Sequence, residues 1–152
     1  MKQFILVLLL LCSVISSPSQ IKADPEISMP CSLVLNSVNS NYDNAKGVAL
    51  AYKVKLTPSF PRKSISIHAL HIPEPSTFGN YDTYEGFAFI PDEISWRFKL
   101  YPTTEEGGPT WAGRIDGITE ELKGVTVQVR PSNSKTEKLG SAILTNDIKY
   151  CK

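Results

Sequence analysis

The run ISWRFKLY, residues 94 to 101, alternates without a break. Ile94, Trp96, Phe98 and Leu100 fall at one parity, and Ser95, Arg97, Lys99 and Tyr101 at the other. Successive strand residues point to opposite faces, so a large apolar side chain at every second position commits this stretch to a half-buried strand. Just upstream, Phe87 and Phe89 form a shorter row, and Pro91, Asp92 and Glu93 between the two have the chemistry of a hairpin turn. The same period returns along most of the chain, which predicts an all-β fold.

The first residues read differently. Lys2 is followed by an apolar run from Phe4 to Ile15 and then by small and polar residues, the pattern of a cleaved secretory signal. The run is short of the ~18–20 residues that span a bilayer. Cleavage after Ala23 is expected, leaving one domain over residues 24–152, secreted and without stable membrane insertion. Leu11 before Cys12 is too large for a lipoprotein signal, so Cys12 leaves with the leader. Cys31 and Cys151 remain, one near each end, and in an exported chain they are expected to form a disulfide.

Without Lys2 and Lys22 the net charge falls from +1 to about −1. A near-neutral domain of this length argues against a nucleic-acid partner or a polybasic membrane patch.

Along the chain, CSLVLNSV from Cys31 is the first expected strand, with Cys31, Leu33 and Leu35 on one face. From Gly47 to Thr57, Val48, Leu50, Tyr52, Val54 and Leu56 are expected to face the core, opposite Gly47, Ala49 and Ala51. Pro58 and Pro61 should end that strand. Lys63–Ile72 resumes the alternation with Ile65, Ile67 and Ala69 inward and His71 at the same parity. Thr110–Ile115 reads as a short or edge strand, and Asp116–Lys123 as one helical turn capped by Thr119. Val125, Val127 and Val129 mark an inward row, Pro131–Lys138 a polar hairpin loop, and Leu139–Tyr150 a last strand whose parity changes near Asn146 and Asp147, where a bulge or corner would reconcile the halves.

Seven or eight short strands with turn chemistry between them predict an antiparallel β-sandwich, Greek-key and immunoglobulin-like only in the loose sense, with a closed β-barrel as the alternative. The Cys–Trp–Cys arrangement of immunoglobulin domains is missing, because Cys151 is the penultimate residue.

Little in the sequence carries chemistry. Ser64, Ser66 and His68 share a face, but no G-x-S-x-G is present, and the pairs Asp92/Glu93, Glu105/Glu106 and Glu120/Glu121 are adjacent residues in turns that set no carboxylate separation. His68 and His71 fall on opposite faces of a regular strand and do not pair as metal ligands. No metal site or catalytic residue is expected, and the chain is not read as an enzyme. The loop Pro73–Gly86 mixes aromatics with carboxylates. Tyr81, Asp82 and Tyr84, together with Trp111, are the candidate ligand-binding residues, and Asn80, Asp82 and Glu85 are oxygen donors that would suit calcium, at spacings that match no EF-hand. The reading is a secreted binding module for a protein partner, acting through loops or a sheet face. A carbohydrate-binding module, a structural component of a surface assembly and a carrier of small apolar ligands are the alternatives.

Overall fold

In the computed structural model, residues 27–57, 60–104 and 108–151 are described. The expected leader, Pro58 and the Glu105/Glu106 pair lie outside them. Eight strands form one antiparallel sheet: β1 (Cys31–Ser37), β2 (Lys46–Thr57), β3 (Phe60–Leu70), β4 (Thr83–Ile90), β5 (Ile94–Pro102), β6 (Trp111–Ile118), β7 (Thr126–Ser132) and β8 (Leu144–Asp147). The sheet closes on itself in the order β1-β2-β3-β6-β5-β4-β7-β8. The all-β, antiparallel expectation holds, and of the two closures considered the chain takes the barrel. β4, β5 and β6 form a meander, with β3 returned beside β6 and β7 beside β4, so the connectivity is Greek-key.

One end of the barrel carries the loops after β1, β3, β5 and β7. The other end carries the start of β1, the last residues of β2, the turns after β4 and β6 and the final turn at Ile148–Tyr150. Cys31 at the start of β1 is bonded to Cys151, with Cα atoms 5.4 Å apart and 120 positions between them in sequence.

Parity decides the core. On β1 Cys31, Leu33 and Leu35 point inward; on β3 Ile65, Ile67 and Ala69 do; on β5 Phe98 and Leu100 are buried and Trp96 is half-buried; on β7 Val127 and Val129 are buried. Those rows match the sequence reading. β2 reverses it. Ala49 and Ala51 are 3% exposed and Gly47 is buried, while Val48 (44%) and Leu50 (39%) face outward beside Val34 of β1 (54%). The reason is volume. An eight-stranded barrel has an interior just wide enough for side chains to fill, and here Leu35 and Leu144 lie against the inner face of β2. A Cβ on Gly47 would already sit 3.1 Å from Leu144 Cδ1. Small residues fit that wall, and the aliphatic row is turned out.

The same constraint acts at Gly86 on β4, directly opposite Phe98. A Cβ there would overlap the Phe98 ring, which lies over the glycine. Tyr84, Gly86 and Ala88 are therefore the inward residues of β4. Phe87 and Phe89 face out, their rings 5.2 Å apart, with the Arg130 guanidinium 4.7 Å above Phe87.

Other elements differ from expectation. β3 ends at Leu70, and His71 is an exposed residue at φ 53°. β6 runs through Asp116 to Ile118 and sits between β3 and β5, so it is neither short nor an edge, and Asp116–Lys123 is not a helical turn. Pro131 and Ser132 belong to β7. The corner expected near Asn146 is real: β8 stops at Asp147, and a one-turn 3₁₀ helix at Ile148–Tyr150 buries Ile148 and leads to Cys151.

Two measurements test this arrangement. Ala49→Leu should overpack the interior and cost about 1–3 kcal/mol in urea unfolding, whereas Val48→Lys one position away should stay within about 0.5 kcal/mol of the parent. Cys151→Ser should lower stability by about 4–5 kcal/mol, the chain-entropy value for so long a loop, read as a fall in denaturation midpoint matched by adding reductant to the parent.

Candidate functional site

The four candidate residues do not share one surface. Tyr84 is fully buried and Trp111 is 5% exposed. Their rings meet edge to face at 5.0 Å, and Tyr84 donates its hydroxyl to the carbonyl of Pro73 at 2.6 Å. Burial pushes the Tyr84 phenol well above its ordinary pKa. This pair plugs the loop end of the barrel from within. Period two on β4 puts Tyr84 inside because Gly86 and Ala88 are inside.

Asp82 and Tyr81 stay nearer the surface, and Asp82 has a structural task. Its carboxylate accepts from the Ser134 hydroxyl at 2.6 Å and from the Ser134 backbone N–H at 2.8 Å. Both bonds hold its carboxyl below the usual range. Beside it Asn133 donates Nδ2 to the carbonyl of Asn80 at 2.9 Å and accepts from the N–H groups of Lys135 and Thr136. The loops that follow β3 and β7 are thereby fastened together.

Of the oxygen donors considered for calcium, Glu85 points outward from β4. Arg97 donates Nε to Oε2 at 2.9 Å and a terminal nitrogen to Oε1 at 3.2 Å, and the buried Ser132 hydroxyl donates to Oε1 at 2.6 Å. Burial alone would raise the Glu85 carboxyl. The Arg97 and Ser132 hydrogen bonds, with the charges of Arg97 and Lys99, outweigh it and hold the carboxyl below its ordinary value. Asp82 and Glu85 are thus each engaged by protein partners. Among the described residues no group of three His, Cys, Asp or Glu converges as metal ligands. His68 and His71 are both exposed.

The fastened loops wall a cleft of about 560 Å³ at the loop end. It is lined by Val38, Tyr42, Phe78, Tyr81, Pro131 and Ile143, together with Asn39, Ser40, Ser141 and Ala142. Tyr42 is held by a 3₁₀ turn, Ser40–Tyr42, whose Asn39 cap accepts from the Asn41 N–H at 2.9 Å. Phe78 closes a second 3₁₀ turn, Pro75–Phe78, and meets Tyr42 edge to face at 5.5 Å. Tyr81 lies against Gly140, where a Cβ would be 3.1 Å from the ring. The volume falls in the range of small-molecule and side-chain pockets, and no lining residue carries a charge. Of the four candidate residues only Tyr81 lines it. Tyr42, Phe78 and Ile143 were missed because they come from three separate loops. The available signal was an aromatic in each of two turn-rich stretches.

The fold and this site define a small, disulfide-closed antiparallel β-barrel with a neutral aromatic cleft among the loops at one end. The chain belongs to the YoqH family: residues 27–152 match the family described as SPbeta prophage-derived uncharacterized protein YoqH. The protein of that description from Bacillus subtilis (strain 168) is 60% identical over 152 residues, covering 99% of both chains. No solved structure matches.

Glu85 gives a prediction with a sign. Its carboxyl titrates lower in the folded chain than in the unfolded one, so unfolding takes up a proton. Its contribution is present above the usual glutamate range and is lost as pH falls through the lowered value. Glu85→Gln should therefore be less stable than the parent at neutral pH and should flatten the acid limb of stability against pH, measured by urea unfolding at a series of pH values. A parallel acid limb in the variant would show that the folded chain does not hold the Glu85 carboxyl below its ordinary value.

Proposed function

We propose that this protein is an exported, non-enzymatic binding module that takes an uncharged, partly apolar group of a protein partner into the loop-end cleft. The observation that carries the reading is the cleft itself: Tyr42 from the loop after β1 meets Phe78 and Tyr81 from the loop after β3, and that second loop is tied down by the Asp82–Ser134 and Asn133–Asn80 hydrogen bonds. Holding the rings in advance of binding reduces the ordering cost of association. Aromatic side chains on fastened loops are also what rigid recognition sites use. The lining offers no carboxylate, imidazole or thiol, which supports binding over turnover. Export is supported by the apolar run Phe4–Ile15 and by the disulfide, a bond that persists in oxidising compartments. As for a carrier of apolar cargo, the barrel interior is already occupied by Leu35, Ile65, Ile67, Leu100 and Phe98.

A saccharide competes for the same cleft, because sugar faces stack on aromatic rings and the lining includes the polar side chains of Asn39, Ser40 and Ser141. The test is site-specific photo-crosslinking in the culture medium, with a benzophenone amino acid in place of Phe78, of Val48 on the barrel wall, or of the exposed Ser95 at the opposite end. A discrete protein adduct from position 78 that is lost with Tyr81→Ala is the expected result. Adducts from position 48 alone would move the binding surface to the outward Val34–Val48–Leu50 row. Equal adducts at all three positions, or a saccharide that shifts the Tyr42 and Tyr81 ring resonances when no protein adduct forms, would overturn the protein-partner reading.

A further inference from the structure

β2 and β3 continue past their other neighbours. The last β1–β2 pair is Cys31–Ala51 and the last β3–β6 pair is Lys63–Ile118, whereas β2 and β3 remain paired with each other through Lys53–Lys63, Val54–Arg62, Lys55–Pro61 and Thr57–Phe60. The result is a two-stranded arm at the end of the barrel opposite the cleft. From Tyr52 to Lys63 it carries Lys53, Lys55, Arg62 and Lys63 and no Asp or Glu, a local excess of positive charge in a chain whose acids slightly outnumber its Lys and Arg from Asp24 onward. Lys63 at its root is engaged by the Glu121 carboxylate and the Glu120 carbonyl. Beyond that root Lys53 and Lys55 are exposed, and Phe60 is 61% exposed with the Arg62 guanidinium 5.6 Å over its ring.

We propose that this arm is a peripheral docking element for an anionic lipid bilayer, with Phe60 at the headgroup level and Lys55 and Arg62 against the lipid phosphates. Two independent observations point to this partner. The first is charge: acid-free basic segments are drawn to anionic bilayer surfaces, and an exposed aromatic ring settles at the interface between water and hydrocarbon. The second is position. Cys31 pairs with Ala51, so the chain enters the barrel next to the root of the arm. The apolar run Phe4–Ile15 precedes that point by a short stretch of sequence. While the leader is held in a membrane, the arm is at the end of the domain nearest the bilayer, and the cleft is at the end facing away. The docking rests on the exported reading but not on the cleft, so Tyr81→Ala should leave it intact.

The chain from Asp24 onward, which contains every described residue, would be sedimented with vesicles of phosphatidylcholine alone and with phosphatidylglycerol added. Binding to the anionic vesicles only, weakening as salt rises through the Debye range, is the expected result. Lys55→Glu with Arg62→Glu should reduce partitioning roughly 25-fold or more, about fivefold per charge removed. Phe60→Ala should reduce it by a smaller factor, and both variants should keep the parent's thermal midpoint. Equal binding to neutral vesicles, no binding at low salt, or full binding by the charge-reversed variant would overturn the proposal. So would equally tight binding of soluble polyphosphate that Phe60→Ala leaves unchanged, since that would identify a polyanion site with no use for a bilayer.

Discussion

Closure of the barrel at the seam between β1 and β8 is the constraint on which the remaining structure depends. β1 and β8 share only the pairs Asn36–Thr145 and Ser37–Leu144, extended at one end by the Val38 N–H donating to the carbonyl of Ile143 at 3.1 Å. At the other end β8 turns away, and a side chain takes over from the backbone: Asn146 donates Nδ2 to the carbonyl of Val34 at 2.8 Å. The Cys31–Cys151 bond then holds the last turn to the first strand. An open sheet would leave β1 and β8 as unpaired edges. Closed, it has a bounded interior, and that bound sets which side chains can face inward.

The consequences run around the wall. Large residues occupy the interior from β1, β3, β5 and β7, so β2 must present Gly47, Ala49 and Ala51, and β4 must present Gly86 to the ring of Phe98. Val34, Val48 and Leu50 are left outside by geometry. Polar groups on the outer face are satisfied locally: Glu85 is shared by Arg97 and Ser132, and Ser64 donates to Asp116 across β3 and β6. No buried side-chain nitrogen or oxygen among the described residues lacks a partner.

The two ends of the barrel are unlike in chemistry. The cleft at one end is lined by neutral, partly aromatic side chains, and the loops after β3 and β7 beside it are tied to one another. The other end holds the disulfide and the basic arm. The packed interior lies between these two surfaces and keeps them apart.

Much of the local structure was determined by the sequence alone. Strict alternation in Ile94–Leu100, Ile65–Ala69 and Val125–Val129 specified strands and their buried faces, since those rows are large on one side and polar on the other. The turn at Pro91–Glu93 and the pairing of the end cysteines were legible for equally local or compartmental reasons. Where both faces of a strand were apolar the pattern lost its direction: on β2 a row of Val and Leu stands opposite a row of Gly and Ala, and only the volume left by Leu35 and Leu144 decides between them. The candidate site was legible only at Tyr81. Tyr84 and Trp111 were drawn inward by a parity that continues into the barrel, and the cleft brings Tyr42, Phe78 and Ile143 together from loops far apart in sequence. The sequence determined which segments are strands. The closed tertiary structure alone decided which face of β2 is inside and which rings meet at the mouth, because both depend on the space left by neighbours that are distant along the chain.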